Sequence, residues 1–211
     1  MTTTHEWHDP GHVQEYLERV GTLPPRLAGE AAMAEILPAA PERVLDLGCG
    51  DGRLAALVLS QRSSVTEVVA VDASAPMLER AGERFQSDER VSVREWDLND
   101  SITPLGPFDA IISGFAIHHL EDHRKQTLFG EIAGRLTPGG VFANLEVVKS
   151  ATPELHVAFR TAIGRSEDDP GDRLVEPETQ LRWMRAAGLE QVDCIWRWRG
   201  FALLAGTAPA A

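Results

Sequence analysis

The stretch Val44-Leu45-Asp46-Leu47-Gly48-Cys49-Gly50-Asp51-Gly52-Arg53-Leu54 decides how this chain is read. A short apolar run, broken only by Asp46, has the pattern of a buried strand, and helical periodicity resumes through Leu54, Leu57 and Val58. Between them stand three glycines at alternate positions. Glycine there admits positive φ angles and lets a ligand approach the backbone, and the free N–H groups of the following helix suit an anionic or polar group. A dinucleotide-binding turn has the spacing G-x-G-x-x-G, which brings a pyrophosphate onto the helix. Here the spacing is G-x-G-x-G, with Asp46 two residues before the first glycine. This tighter loop leaves room for an uncharged bridge.

Working outward, strands are expected at 44–47, 68–71, 91–95, 110–112 and 141–148, with helices between them through Met77–Phe85 and over 124–136. Regular strand–helix alternation implies a parallel sheet covered by helices on both faces, wound by right-handed crossovers, with ligands at the carboxyl ends of its strands. After a helix at Pro177–Ala187, strands at 191–197 and 199–205 have almost no residues between them, so they must pair antiparallel. Residues 1–40 read as two helices, around Gly11–Val20 and Pro25–Leu37, the second stopping before Pro38. The expected division is a helical arm at 1–40, one domain at 41–206 and a short tail at 207–211.

Composition narrows the function. With 211 residues, 43% hydrophobic and 25% charged, the chain is a globular protein rather than a disordered or fibrous one. Its two cysteines, Cys49 and Cys194, form no disulfide framework. No apolar run approaches the roughly 20 residues of a membrane span, and the amino terminus lacks a basic-then-apolar signal, so the expected location is cytoplasmic. A net charge of −12 disfavours nucleic acid as a partner and points to a small soluble substrate.

At this point the chain resembles the class I S-adenosylmethionine-dependent methyltransferases, over about residues 40 to 206. Beside the glycine loop, Val68–Asp72 with Ala73–Leu78 is similar to the family's second-strand motif, and Trp96-Asp97-Leu98 to its adenine motif. Phe108–Leu120 is similar to the fourth-strand motif, Leu136–Gly140 to the turn before strand five, and Leu181–Leu204 to the closing strand pair. The resemblance implies a single Rossmann-like α/β fold, a doubly wound, mostly parallel sheet with a C-terminal antiparallel strand. It implies S-adenosyl-L-methionine as methyl donor, S-adenosyl-L-homocysteine as product and a small-molecule acceptor. The donor set it implies is Tyr16, Asp46, Gly48, Cys49, Gly50, Asp72, Ala73, Met77, Asp97, Leu98, Ser113 and Gly114. Within it Asp72 holds the ribose hydroxyls, Asp97 and the Leu98 N–H hold adenine, and Tyr16 lies over the methionine moiety with Arg26 facing its carboxylate.

Several of these residues have a second reading. Asp46 either touches the donor or orients the loop, Asp97 either binds adenine or opens a turn, and Tyr16 either closes over the donor or packs its helix. His118 and His119 are the catalytic candidates, as general bases that titrate near working pH; packing and helix capping are the alternative. His5, His8 and His12 lack a full ligand set, and no metal is expected. The acidic stretch 164–177 is either a mobile loop beside the substrate or a solvated connection. Trp196 and Trp198 form a pocket wall or core. Two functional alternatives stand: a non-catalytic donor-binding protein and a nicotinamide-dependent oxidoreductase.

Overall fold

A computed structural model describes Trp7 and residues 9–21 and 23–211. His5 and His8, and the side chain of His12, lie outside the described residues. Two helices, α1 (Pro10–Val20) and α2 (Pro24–Ile36), precede β1 (Arg43–Leu47), α3 (Arg53–Gln61), β2 (Glu67–Asp72), α4 (Ala75–Phe85), β3 (Val91–Glu95) and β4 (Phe108–Gly114). A 3₁₀ turn at Ile117–His119 leads to α5 (Asp122–Ala133), β5 (Leu136–Val147), α6 (Pro153–Ala162), α7 (Pro177–Ala186), β6 (Glu190–Trp198) and β7 (Phe201–Thr207).

The strands form one sheet in the order β3-β2-β1-β4-β5-β7-β6. The first five are parallel, and β7 runs antiparallel between β5 and β6. Period-two alternation splits the core into two layers. Leu45, Leu47, Val69, Ile111 and Phe142 face α5 and α7, where Leu128, Phe129, Ile132 and Met184 are buried. Val44, Val68, Ala110, Ile112 and Ala143 face the other way, onto Met33 of α2 and Leu54, Ala55 and Val58 of α3. Truncating a fully buried ring such as Phe142 to alanine costs about 3–5 kcal/mol.

The structure departs from the sequence reading at several element ends and in one helix. The turn expected at Leu136–Gly140 is the start of a 12-residue β5, because Leu136 pairs with Phe108 before the register shifts. The helix before it therefore stops at Ala133. The sequence reading has no element between strand five and residue 164, where α6 stands, capped by Thr152 onto the Leu155 N–H. Finally, β7 runs into the expected tail, and the Ala208 N–H donates to the Gly140 carbonyl.

Strands β1 and β4 are neighbours whose next crossovers go to opposite sides. Their carboxyl ends therefore part at the switch point where open α/β sheets bind ligands.

Candidate active site

The glycine loop after β1 is built for close approach. Gly48, Gly50 and Gly52 have φ of +67°, +54° and +79°. A Cβ on Gly48 would stand 2.2 Å from the Cβ of Ala116, in the segment after β4. The loop is tied to the second strand end by the Asp72 carboxylate, which accepts from the Gly50 N–H (2.9 Å) and the Ser74 N–H (2.8 Å). Cys49 donates its N–H to the Val71 carbonyl (2.9 Å), and burial pushes its thiol pKa well above the ordinary range, so its part is that of backbone.

An open cleft of about 1180 Å³ lies across this switch point. Ten of the twelve donor residues expected from sequence line it: Tyr16, Gly48, Cys49, Gly50, Asp72, Ala73, Met77, Asp97, Leu98 and Gly114. The Asp97 carboxylate also accepts from both nitrogens of Asn99 (2.8 and 2.9 Å), so it opens a turn and faces the cleft at once. Trp96, Phe115 and Arg53 line the cleft as well and were not assigned from sequence. The Trp96 indole N–H is buried there with no hydrogen-bond partner among the described residues.

The other two expected residues are not on the cleft wall. The Ser113 hydroxyl donates to the Leu47 carbonyl (2.8 Å) and is fully buried, because a residue one before the strand end still points into the sheet layers. Asp46 is fully buried on the α3 side, and its Oδ2 accepts from the Ala55 N–H (3.1 Å). Burial, partly offset by that bond and reinforced by the Asp72 and Asp51 charges, lifts its pKa to about 7. Unfolded, the same carboxyl ionises near pH 4. The folded state thus binds the extra proton between about pH 4 and 7, and stability falls as pH rises through that window, by at most about 4 kcal/mol. Asp46→Asn keeps an acceptor for Ala55 and is expected to flatten the melting-temperature profile between pH 4 and 8. An unchanged slope would assign the pH dependence to other groups.

Beside the cleft, the buried Glu30 carboxylate is shared by two of its lining residues, Arg26 (2.9 Å) and Arg53 (2.7 Å). Two guanidiniums on one carboxylate leave a net positive charge there. Arg26 also lies 5.2 Å from the Phe115 ring centre. Trp7 and Tyr16 meet edge to face at 5.0 Å and border the cleft from the amino-terminal side.

A second cavity, partly open to solvent, adjoins the first and shares Trp7, Tyr16, Arg26, Phe115 and His119 with it. Phe159 and Phe201 form its aromatic wall, 5.1 Å apart, and the acidic stretch closes it through Arg165, Glu167, Asp168, Asp169 and Asp172. Trp196 instead packs against the core beside Gly29, and Trp198 meets Phe159 edge to face and Phe201 at a tilt.

The two histidines differ. Nδ1 of His118 meets the Glu146 carboxylate, and Nε2 lies 3.3 Å from Asp172. Burial pulls its pKa down, but the two carboxylates outweigh burial and hold it at about 10. His119 is driven down to about 4, first by burial and then by the His118 charge. Its Nδ1 lies 3.2 Å from the Gly171 carbonyl. At neutral pH the first ring is therefore cationic and the second neutral.

Comparison with known proteins matches this geometry. Residues 44–140 match the family described as methyltransferase domain. An uncharacterized methyltransferase of Mycobacterium tuberculosis is 40% identical over 126 residues, 60% of this chain and 59% of that protein. The trans-aconitate 2-methyltransferase of Pseudomonas aeruginosa is 38% identical over 110 residues, 51% of this chain and 37% of that protein. The chain thus spans less than two thirds of the length of these relatives. Among solved structures, an O-methyltransferase family protein from Burkholderia thailandensis shares the fold, with a TM-score of 0.75 at 19% identity over 98% of this chain and 62% of that one. Residues 44–140 thus match the methyltransferase-domain family, and the fold around them is one shared with methyltransferases of known structure.

Proposed function

We propose that the protein transfers a methyl group from S-adenosyl-L-methionine to a small-molecule acceptor held in the second cavity. One observation carries this reading: a cleft lined by ten of the expected donor residues opens directly onto a separate, aromatic-walled cavity. The residues present fit the donor. Asp72 and Asp97 face one end for ribose and adenine, with the unpartnered Trp96 N–H beside them. The Arg26–Glu30–Arg53 group, with its surplus positive charge, faces the other end and suits a carboxylate through the planar fork of Arg26.

When bound, the donor supplies an electrophilic methyl group on a sulfonium. The chain's own task is then to align the acceptor's nucleophile and to exclude water, an orientation effect worth several kcal/mol. Trp7 and Tyr16 border both cavities, and Trp7 lies 5.8 Å from the His119 ring, so the arm serves as the cover over the point of transfer. Of the two candidates His119 is the group that engages the acceptor's nucleophile, since it lines the cavity and borders the donor cleft, while both ring nitrogens of His118 meet Glu146 and Asp172. Aromatic walls and mixed charge suit a small, flat acceptor with one polar group.

Incubation with donor and a panel of small aromatic hydroxy and carboxy compounds tests this reading. The expected result is release of S-adenosyl-L-homocysteine that depends on the acceptor, read by mass spectrometry. Tight donor binding with no acceptor-dependent release across the panel would favour the non-catalytic donor-binding alternative.

A further inference from the structure

The geometry points to a divalent transition-metal site formed by His118, His119 and Asp172 in the wall of the second cavity. Ring nitrogens of the two histidines and a carboxylate oxygen of Asp172 all lie within 4.8 Å of one another. Two of the spans are 3.3 Å (His118 Nε2 to Asp172 Oδ1) and 3.8 Å (His119 Nδ1 to Asp172 Oδ1). Metal–nitrogen and metal–oxygen bonds of about 2.0–2.2 Å in a tetrahedral shell set ligand atoms roughly 3.3–3.6 Å apart. To close on one ion the ligand atoms must draw in from spans of up to 4.8 Å, and His119 Nδ1 must exchange its contact with the Gly171 carbonyl for the metal. His118 and His119 are consecutive in a 3₁₀ turn, which brings their ring centres to 4.0 Å, and Asp172 reaches them from the opposite side on the acidic stretch.

Glu146 is the second, independent observation. It is fully buried, and its Oε1 faces His118 Nδ1, the far side of the ring from Asp172. A carboxylate on the outer nitrogen fixes the tautomer of a metal-bound imidazole and raises its basicity. Glu146 Oε2 is buried with no hydrogen-bond partner among the described residues. The nearby Lys125 ammonium is taken by Asp122 (3.1 Å) and the Arg173 carbonyl.

Imidazole and carboxylate donors favour zinc-like ions over magnesium or calcium. Three protein ligands leave a position open to the cavity, the arrangement of catalytic rather than structural sites. An oxygen donor, the hydroxyl or carboxylate of a small acceptor, is the class of ligand that would complete the shell. That last assignment rests on the methyl-transfer reading of the cavity; the metal site itself does not.

Titration of the full chain with Co²⁺, followed by visible d–d absorption, and equilibrium dialysis against Zn²⁺ test the site. The expected result is one equivalent bound, with Asp172→Asn and His119→Gln each abolishing the Co²⁺ spectrum. Glu146→Gln should retain the spectrum with roughly 10–100-fold weaker affinity. Replacing His5, His8 and His12 together by alanine should leave the spectrum intact, which separates the site from the arm histidines. Melting curves show which variants fold, and S-adenosyl-L-homocysteine binding is measured on the same samples. Binding of S-adenosyl-L-homocysteine without stoichiometric metal, metal binding indifferent to Asp172→Asn and His119→Gln, or a spectrum lost with the arm histidines would each overturn the proposal while leaving the donor cleft intact. Metal binding without product binding would instead remove the methyl-transfer reading alone.

Discussion

Asp72→Ala is expected to weaken S-adenosyl-L-homocysteine binding at least tenfold, and about a hundredfold if both ribose bonds form. Hydrogen bonds to a charged group are worth about 1.5–3 kcal/mol each, and 1.4 kcal/mol is a factor of ten in affinity. The carboxylate is held in place by the Gly50 and Ser74 N–H groups, so it meets a ligand without reorganising. Removing it also releases Gly50, which adds to the loss. Calorimetry on the folded variant reads the effect. An unchanged dissociation constant would remove Asp72 from the donor site.

Gly48→Ala should do more damage to both stability and binding. A side chain at φ +67° costs about 1–2 kcal/mol. Its Cβ would also stand 2.2 Å from that of Ala116, and overpacking of this kind costs about 1–3 kcal/mol more. Together these lower the melting temperature by roughly 5–15 °C in a chain of this size. Relief comes only by spreading the loops after β1 and β4, the two that frame the donor cleft, so product binding should fall below detection. Gly50→Ala is the control. The nearest atom to its Cβ is Met77 Sδ at 3.7 Å, so in the ligand-free protein it carries the backbone strain alone. Equal melting temperatures for the two variants would show that the close approach at Ala116 is not limiting.

The donor cleft was legible in the sequence because its parts are local. Strands that end in the cleft carry their functional residues at that end, as in Asp72, with Ala73 next, on β2 and Gly114 on β4. Positive-φ turns leave glycines as their mark, at 48, 50 and 52. Period-two strands announce their faces, which is also why Asp46 and Ser113 could not be separated from true cleft residues: within a motif, facing depends on register. Burial of Asp46 is the physical outcome of that register.

The second cavity was not legible, because it is assembled across the fold. Glu146 comes to His118 through pairing of β4 with β5, where Gly114 stands beside Leu145. Phe115, Phe159 and Phe201 come from the end of β4, from α6 and from β7. Only the acidic stretch at 164–177, read as a loop beside the substrate or a solvated connection, hinted at that wall, and five of its charged residues line the cavity. Helix α6 went unread although it places Phe159, since its Leu155 and Val157 are exposed and blur the apolar stripe.

Calorimetric titration of the full chain with S-adenosyl-L-homocysteine, and separately with NAD and NADP, tests the central claim most directly. One equivalent of S-adenosyl-L-homocysteine should bind with a dissociation constant in the micromolar range or below, and neither dinucleotide should give measurable heat. Binding of a nicotinamide dinucleotide, with none of S-adenosyl-L-homocysteine, would contradict the account.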